Sequence, residues 1–349
     1  MTVTGAQLVP YSPTGGQLLT QKQRDDYLPP GAVELIRRGI ADNTWLAYRR
    51  QWQKFQAWCA RNGRTPIPVS ENTAITYLHA LSGMEPPPAP PTVWIWYSAV
   101  RFVHAMGDPP VPWECGKKLS LAIDGYTKDM LDAGWRPKRA PRAHPEFVAR
   151  MADAVDRSTL TGLRDVSVLL VGFVTAARAS HMAAYRLHDV TATPLGLDFY
   201  LARSKTDQKG GGRTFAVASN DEHPQYCPVR ATRAWMDALA GEGFRDGALY
   251  RPLHKHHGLQ LRGHGLSFRM TSAAISQIVQ KYGKAAGLGD NFTCHSLRRG
   301  YATWLRELHV DPLTIAETFG WAPGSSSLLL YLEEAKRWQE DAPALVGKL

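Results

Sequence analysis

The sequence predicts a mainly α-helical chain: an all-helical N-terminal domain, then an α+β domain with a small antiparallel sheet. Three features carry that reading. Aromatic residues in the early part of the chain recur three or four apart, as on one face of a helix. A basic, proline-rich stretch without an acid, RPKRAPRAHP, runs from Arg136 to Pro145 and divides the chain. Beyond it, strand patterns near 197–203 and 213–218 flank the turn TDQKGGG, with helical patterns on either side.

Residues 1–30 are rich in Gly, Thr, Gln and Pro, show no period, and are expected to form a flexible tail. The first domain is expected over 31–134. Asn43-Thr44 marks a helix start, and Trp45, Tyr48, Trp52, Phe55 and Trp58 then form an apolar stripe suited to a core. The other face carries Arg49, Arg50, Lys54 and Arg61, either as a solvated surface or as phosphate contacts. Further helices are expected near 70–83, 91–106 and 116–132, with a proline-rich break, MEPPPAPP, between the first two. No strand is expected in this half. The interdomain linker is read as 135–145, where Arg136, Lys138, Arg139 and Arg142 are either phosphate contacts or a solvated hinge. The second domain, 146–332, has helices expected near 145–156, 162–186, 229–240, 271–286, 294–308, 311–319 and 325–339. The segment 333–349 reads as a tail helix with Trp338 and Leu345 as apolar points.

The 349 residues are 44% hydrophobic and 21% charged, the balance of an ordinary soluble protein. A formal net charge of +10 favours a polyanionic partner. No apolar run approaches the roughly 20 residues that a membrane helix needs, and the first residues lack a signal-peptide pattern, so a cytoplasmic location is expected. The four cysteines, Cys59, Cys115, Cys227 and Cys294, make no C-x-x-C pair and read as reduced thiols. Neither a metal nor another cofactor is expected, and no G-x-x-x-x-G-K-[ST] phosphate loop occurs.

Several residues invite chemistry. Arg178 closes a long apolar run, where a charge needs a partner or a ligand. Lys205 enters a glycine-rich hairpin from which it could reach a reaction centre. His295 and Arg298 share a helix face, with Thr293 placed to cap the helix, and together suit phosphate oxygens. Tyr331 sits among leucines after a Gly-Ser turn. Taken singly, each has an ordinary structural explanation: a salt bridge, a solvated lysine, a surface pair, a core tyrosine.

Their order is more informative. Arg178, the string SKTDQKGGG around Lys205, HSLRRGYATWL around His295 and Arg298, Gly320-Trp321 and then Tyr331, 33 residues after Arg298, resemble the tyrosine recombinase (phage integrase) family over about residues 32–340. The resemblance implies a core-binding first domain and a catalytic second domain. It implies a site-specific recombinase that cleaves and rejoins DNA through a 3′-phosphotyrosyl bond, without metal or ATP, for integration, excision or resolution of a DNA element. Tyr331 would be the nucleophile, Arg178 and Arg298 the phosphate clamp, Lys205 the leaving-group acid and His295 a phosphate contact or proton acceptor. Trp321, which can donate only through its indole N–H, would contact phosphate and pack. The implied partners are a double-stranded recombination site and a tetramer formed on two such sites, with room for accessory DNA-bending or directionality factors. The tail after Tyr331 would dock on a neighbouring subunit or fold back on its own domain. His181 stands where the family often carries an acid, Trp321 where it often carries histidine, and the gap from Trp321 to Tyr331 is about one residue longer than usual. Two other readings share this machinery: a non-cutting DNA-binding regulator of the same fold, and a strand transferase like a type IB topoisomerase or telomere resolvase.

Overall fold

The structure is a computed structural model that describes residues 2–4, 7–9, 30–106, 113, 115–202, 211–253, 268–322 and 324–336. The chain divides into two units, Met1–Pro137 and Lys138–Leu349, so the boundary falls inside the basic linker.

In the first unit a short hairpin precedes the helices. Strands β1 (Thr2–Thr4) and β2 (Gln7–Val9) pair antiparallel, with Thr2 opposite Val9, where the sequence pattern shows no strand. Five helices follow among the described residues: α1 (Pro30–Arg38), α2 (Asp42–Arg61), α3 (Glu71–Ser82), α4 (Pro90–Ala105) and α5 (Lys117–Asp132). The aromatic stripe of α2 is a packing face. Phe55 lies 5.0 Å from Tyr77 of α3 and 5.8 Å from Trp96 of α4, ring centre to ring centre. Edge-on and tilted pairs of this kind add about 0.5–1.5 kcal/mol each beyond burial. Caps set the helix boundaries. Ser70 Oγ accepts the Thr73 N–H at 3.2 Å and starts α3. The Glu71 carboxylate accepts the Gly116 and Leu119 N–H groups at 2.8 and 3.1 Å, capping α5 from another helix.

The second unit is built around α7 (Leu160–Val174), buried from Gly162 through Phe173 apart from the partly covered Leu163. A helix buried on every face belongs in the middle of a fold, and the charged Arg164 and Asp165 of α7 pair with each other at 2.7 Å. Around it lie α6 (Pro145–Asp153), α8 (Ala179–Ala184), α9 (Pro228–Gly241), α10 (Ser272–Ala285) and α11 (Cys294–Glu307). Strands β3 (Val190–Thr193), β4 (Gly196–Leu201) and β5 (Arg213–Ala218) form an antiparallel sheet in that order, with Val190 opposite Phe199 and Leu201 opposite Arg213. Phe215 and Val217 of β5 point inward and alternate with exposed neighbours. The chain closes with α12 (Pro312–Phe319) and α13 (Ser326–Lys336), the latter packed on α11. The described fold is thus mainly helical with one small sheet, as the sequence pattern predicts, plus the N-terminal hairpin.

Two departures from the sequence reading shape the site. The single helix expected over 162–186 is broken. Ala176 adopts φ +45°, in the left-handed region. The Ala176 N–H bonds Phe173 O at 2.9 Å and the Ala177 N–H bonds Gly172 O at 3.2 Å, the hydrogen-bond pair of a left-handed helix terminus. Glycine is the usual residue there, so Thr-Ala-Ala-Arg gave no local sign of a break. The second departure concerns the linker, whose latter half is a strap along α11. The Ala143 N–H donates to Ser296 O at 3.0 Å, and Arg299 Nη1 donates to Ala140 O. A Cβ on Gly300 would lie 2.0 Å from the Ala143 carbonyl oxygen. Arg142 pairs with Glu307 at 2.8 Å. Among the described residues no helix is long and apolar enough to cross a membrane.

Candidate active site

The left-handed turn at Ala176 ends α7 and starts α8 with Arg178 as its N-cap residue. The break therefore turns the chain so that Arg178 leaves the buried helix and faces the start of α11. There Thr293 is the N-cap, and Ser296 Oγ accepts the Thr293 N–H at 3.0 Å. His295 sits in the first turn of α11 and Arg298 in the next, so both project from one end and one face.

Arg298 is 3% exposed. Its Nη1 donates to Ala176 O at 2.5 Å and its Nη2 to Phe319 O at 3.5 Å. Its guanidinium carbon lies 3.6 Å from the ring centre of Trp321, which is itself buried. A cation over an indole face is a favourable contact that also fixes the guanidinium plane. Trp321 meets Tyr331 edge-on at 6.2 Å. Of the role expected for Trp321, phosphate contact and packing, the packing is visible in its ring backing Arg298. Its turn is held by Gly320 at φ +66°, by the Trp321 N–H to Ala316 O at 3.0 Å, and by Arg213 of β5, whose Nη1 donates to Glu317 O. Arg213, which had no sequence signal beyond opening a strand, thus ties the sheet to the turn under Trp321.

These groups act on one another electrostatically. Burial, followed by the Arg178 charge, pulls the Arg298 guanidinium down to about 9, while the Tyr331 phenol acts in the opposite direction. Burial also lowers Arg178, again opposed by Tyr331. Among the described residues no carboxylate contributes to either shift. His295 remains open to solvent on one side, yet crowding by protein, then Arg298 and Arg178, holds its ring below the usual histidine value. That direction favours the neutral ring, the form able to accept a proton. His181 is buried on α8, its Nε2 3.5 Å from Arg178 Nη1. Burial first, then Arg178 and Arg298, hold it at about 3.

That depression has a measurable sign. Above pH 6.5 His181 is neutral in both folded and unfolded chains. Below it the unfolded chain takes up a proton that the folded one refuses until about pH 3. Stability is therefore lost as pH falls through this window, by up to about 1.4 kcal/mol per pH unit. Between pH 7.5 and 5.5, urea unfolding of the wild type is expected to lose about 1.4 kcal/mol more than that of His181→Gln. Equal losses would mean that His181 is not held neutral.

The structure brings Arg178, His295, Arg298, Trp321 and Tyr331 together, with His181 beside them. Lys205 lies outside the described residues, as does the tail beyond Lys336. Arg49, Arg50 and Lys54 are exposed on α2, and Lys138 and Arg139 are exposed in the linker. Arg136 donates to Leu131 O and Trp135 O at 2.7 and 2.8 Å, closing α5. Among the described residues no group of three His, Cys, Asp or Glu could hold a metal ion.

The phage integrase family model matches residues 143–337, a span that contains every member of this constellation. An integrase/recombinase XerD homolog from Selenomonas ruminantium is 29% identical over 300 residues, covering 84% of this chain and 82% of that protein. The tyrosine recombinase XerD of Lacticaseibacillus casei is 22% identical, covering 82% and 86%. Among solved structures, the Tn1549 transposon integrase in complex with transposon right end DNA has a TM-score of 0.53 at 16% identity, covering 86% of this chain and 92% of that one. A lambda integrase tetramer bound to a Holliday junction has a TM-score of 0.52 at 15% identity, covering 88% and 76%. These structural likenesses extend over both units and concern the fold. With the family model matching over half of its length, the chain belongs to the phage integrase family, the tyrosine-type site-specific recombinases.

Proposed function

We propose that this protein cleaves and rejoins duplex DNA at defined sites through a covalent 3′-phosphotyrosyl bond on Tyr331. The observation that carries this reading is the grouping of Arg298, Trp321 and Tyr331, with Arg298 3.6 Å from the Trp321 ring centre and Tyr331 6.2 Å from the same ring, beside a second desolvated guanidinium, Arg178, and with no carboxylate acting on either cation among the described residues. Desolvated cations with no counter-ion among the described residues favour an anion, and forked donors match the non-bridging oxygens of a phosphodiester. The two charges would stabilise the pentacovalent transition state, in which negative charge collects on those oxygens.

The Tyr331 oxygen attacks phosphorus and its bond to the 5′ oxygen breaks. Neutral His295 takes the tyrosine proton, and the departing 5′ oxygen acquires one from Lys205, a role resting on the sequence string SKTDQ alone. A 5′ hydroxyl then attacks the phosphotyrosine and reverses each transfer. One ester replaces another, so no nucleotide is consumed. Arg49, Arg50, Lys54, Arg136, Lys138, Arg139 and Arg142 are assigned to duplex phosphates. Assembly as a tetramer on two DNA sites in the cytoplasm fits the recombinase reading, and the neighbour solved as a tetramer on a Holliday junction supports it.

A supercoiled plasmid carrying one or two copies of the native flanking DNA tests the reading. Recombinant circles that require two copies are expected. Relaxation of a plasmid lacking the site, without exchange, would favour a topoisomerase instead. Tight binding with neither outcome would favour a non-cutting regulator.

A further inference from the structure

In this site the position beside Arg178 is occupied by a buried histidine. His181 is 5% exposed, sits three residues after Arg178 at the start of α8, and presents Nε2 to Arg178 Nη1 at 3.5 Å. That contact is the only hydrogen bond seen on the Arg178 guanidinium among the described residues. Arg298 has a different support: two backbone carbonyls and the Trp321 face. Among the described residues the two cations are therefore oriented by neutral groups alone. A carboxylate at position 181 would orient Arg178 as well, but would also cancel one positive charge within the pocket.

We infer that His181 is a positioning residue, a neutral acceptor that aims Arg178 while leaving both guanidinium charges for the incoming phosphate. Imidazole suits this task because its unprotonated nitrogen accepts a hydrogen bond without a formal charge. Two burdens on its protonated form, loss of water and two adjacent cations, keep it in that state. The consequence is an empty site that binds anions unusually well, including free inorganic phosphate. This inference rests on the phosphodiester reading above.

The test uses the full-length protein and three variants, each checked for thermal unfolding and DNA affinity. Single-turnover cleavage is measured on native-site DNA, and inorganic phosphate is titrated as an inhibitor. His181→Leu removes the acceptor, and cleavage is expected to fall at least about 30-fold with DNA affinity unchanged. His181→Gln restores a neutral acceptor and is expected to recover to within about threefold of wild type. His181→Glu orients Arg178 but adds a negative charge, so inhibition by phosphate is expected to weaken at least about tenfold. Wild-type cleavage by His181→Leu, or a defect in His181→Gln as deep as in His181→Leu, would overturn the aiming role. Undiminished phosphate inhibition of His181→Glu would overturn the claim of uncompensated charge. If His181→Leu does not fold, a His181→Gln rate more than about tenfold below wild type would overturn the aiming role in its place, and His181→Glu still tests the charge. Failure of the wild type itself to cleave would count against the phosphodiester reading, a result distinguishable from either of these.

Discussion

Replacing Arg298 by alanine is expected to slow DNA cleavage by at least about 10³-fold while leaving the protein folded and bound to DNA. A preorganised donor to a developing oxyanion is worth roughly 10²–10³ in rate, and a transition-state arginine in phosphoryl transfer about 10³–10⁵. Arg298 is built for that role, with its plane fixed by Trp321 at 3.6 Å and two of its nitrogens held by Ala176 O and Phe319 O. The fold should tolerate its loss. Burial and the Arg178 charge both disfavour the guanidinium, so their removal offsets the two hydrogen bonds given up. Arg298→Lys should recover little, since an ammonium lacks the fork and the flat face. Single-turnover cleavage on native-site DNA, with affinity measured separately, reads the effect. A rate within tenfold of wild type would remove Arg298 from the reaction and leave it a structural role.

Gly300→Ala should be nearly as damaging for a different reason. The new methyl would lie 2.0 Å from the Ala143 carbonyl oxygen and 2.5 Å from its carbon, so backbone must move. Either the strap lifts from α11, losing the Ala143–Ser296 bond, or α11 shifts and carries Arg298 and His295 with it. Overpacking of this kind costs about 1–3 kcal/mol, and a misplacement of about 1 Å at a reacting centre can cost 10²-fold in rate. Both a lower urea midpoint and slower cleavage are expected. Gly125→Ala supplies the contrast, because nothing lies within 4 Å of its Cβ position on α5. There the substitution should stabilise by roughly 0.5–1 kcal/mol, as alanine does inside a helix. If Gly300→Ala behaved like Gly125→Ala, the strap would not be a constraint on the catalytic helix.

The candidate site is largely legible in the sequence because its chemistry lies in residue types and their order. Singly Arg178, His295, Arg298 and Tyr331 look ordinary; it is their order, which resembles that of the family, that picks them out, and His-x-x-Arg shares a helix face whatever surrounds it. What stays hidden depends on distant packing. The break at Ala176 rests on a left-handed alanine, whose sequence looks helical, and its buried carbonyl is taken up by Arg298 from more than a hundred residues away. Trp321 plainly lacks a base's chemistry, yet its place beneath Arg298 follows from the Gly320 turn and Arg213, which no local pattern connects. The linker shows only as basic and proline-rich, and its grip on α11 depends on the missing side chain of Gly300. Strand β3, four residues of Val-Thr-Ala-Thr, is too short and polar to stand out by alternation.

The central claim is that Tyr331 becomes covalently joined to DNA. The most direct measurement traps protein–DNA adducts on supercoiled DNA carrying the native flanking sequence, comparing wild type with Tyr331→Phe. Phenylalanine keeps the ring beside Trp321 and removes only the attacking oxygen. The account predicts an adduct with wild type alone, attached at a 3′ phosphate and released by protease, with equal DNA binding by both proteins. An adduct of the same yield with Tyr331→Phe, or none with either protein despite tight binding, would contradict it.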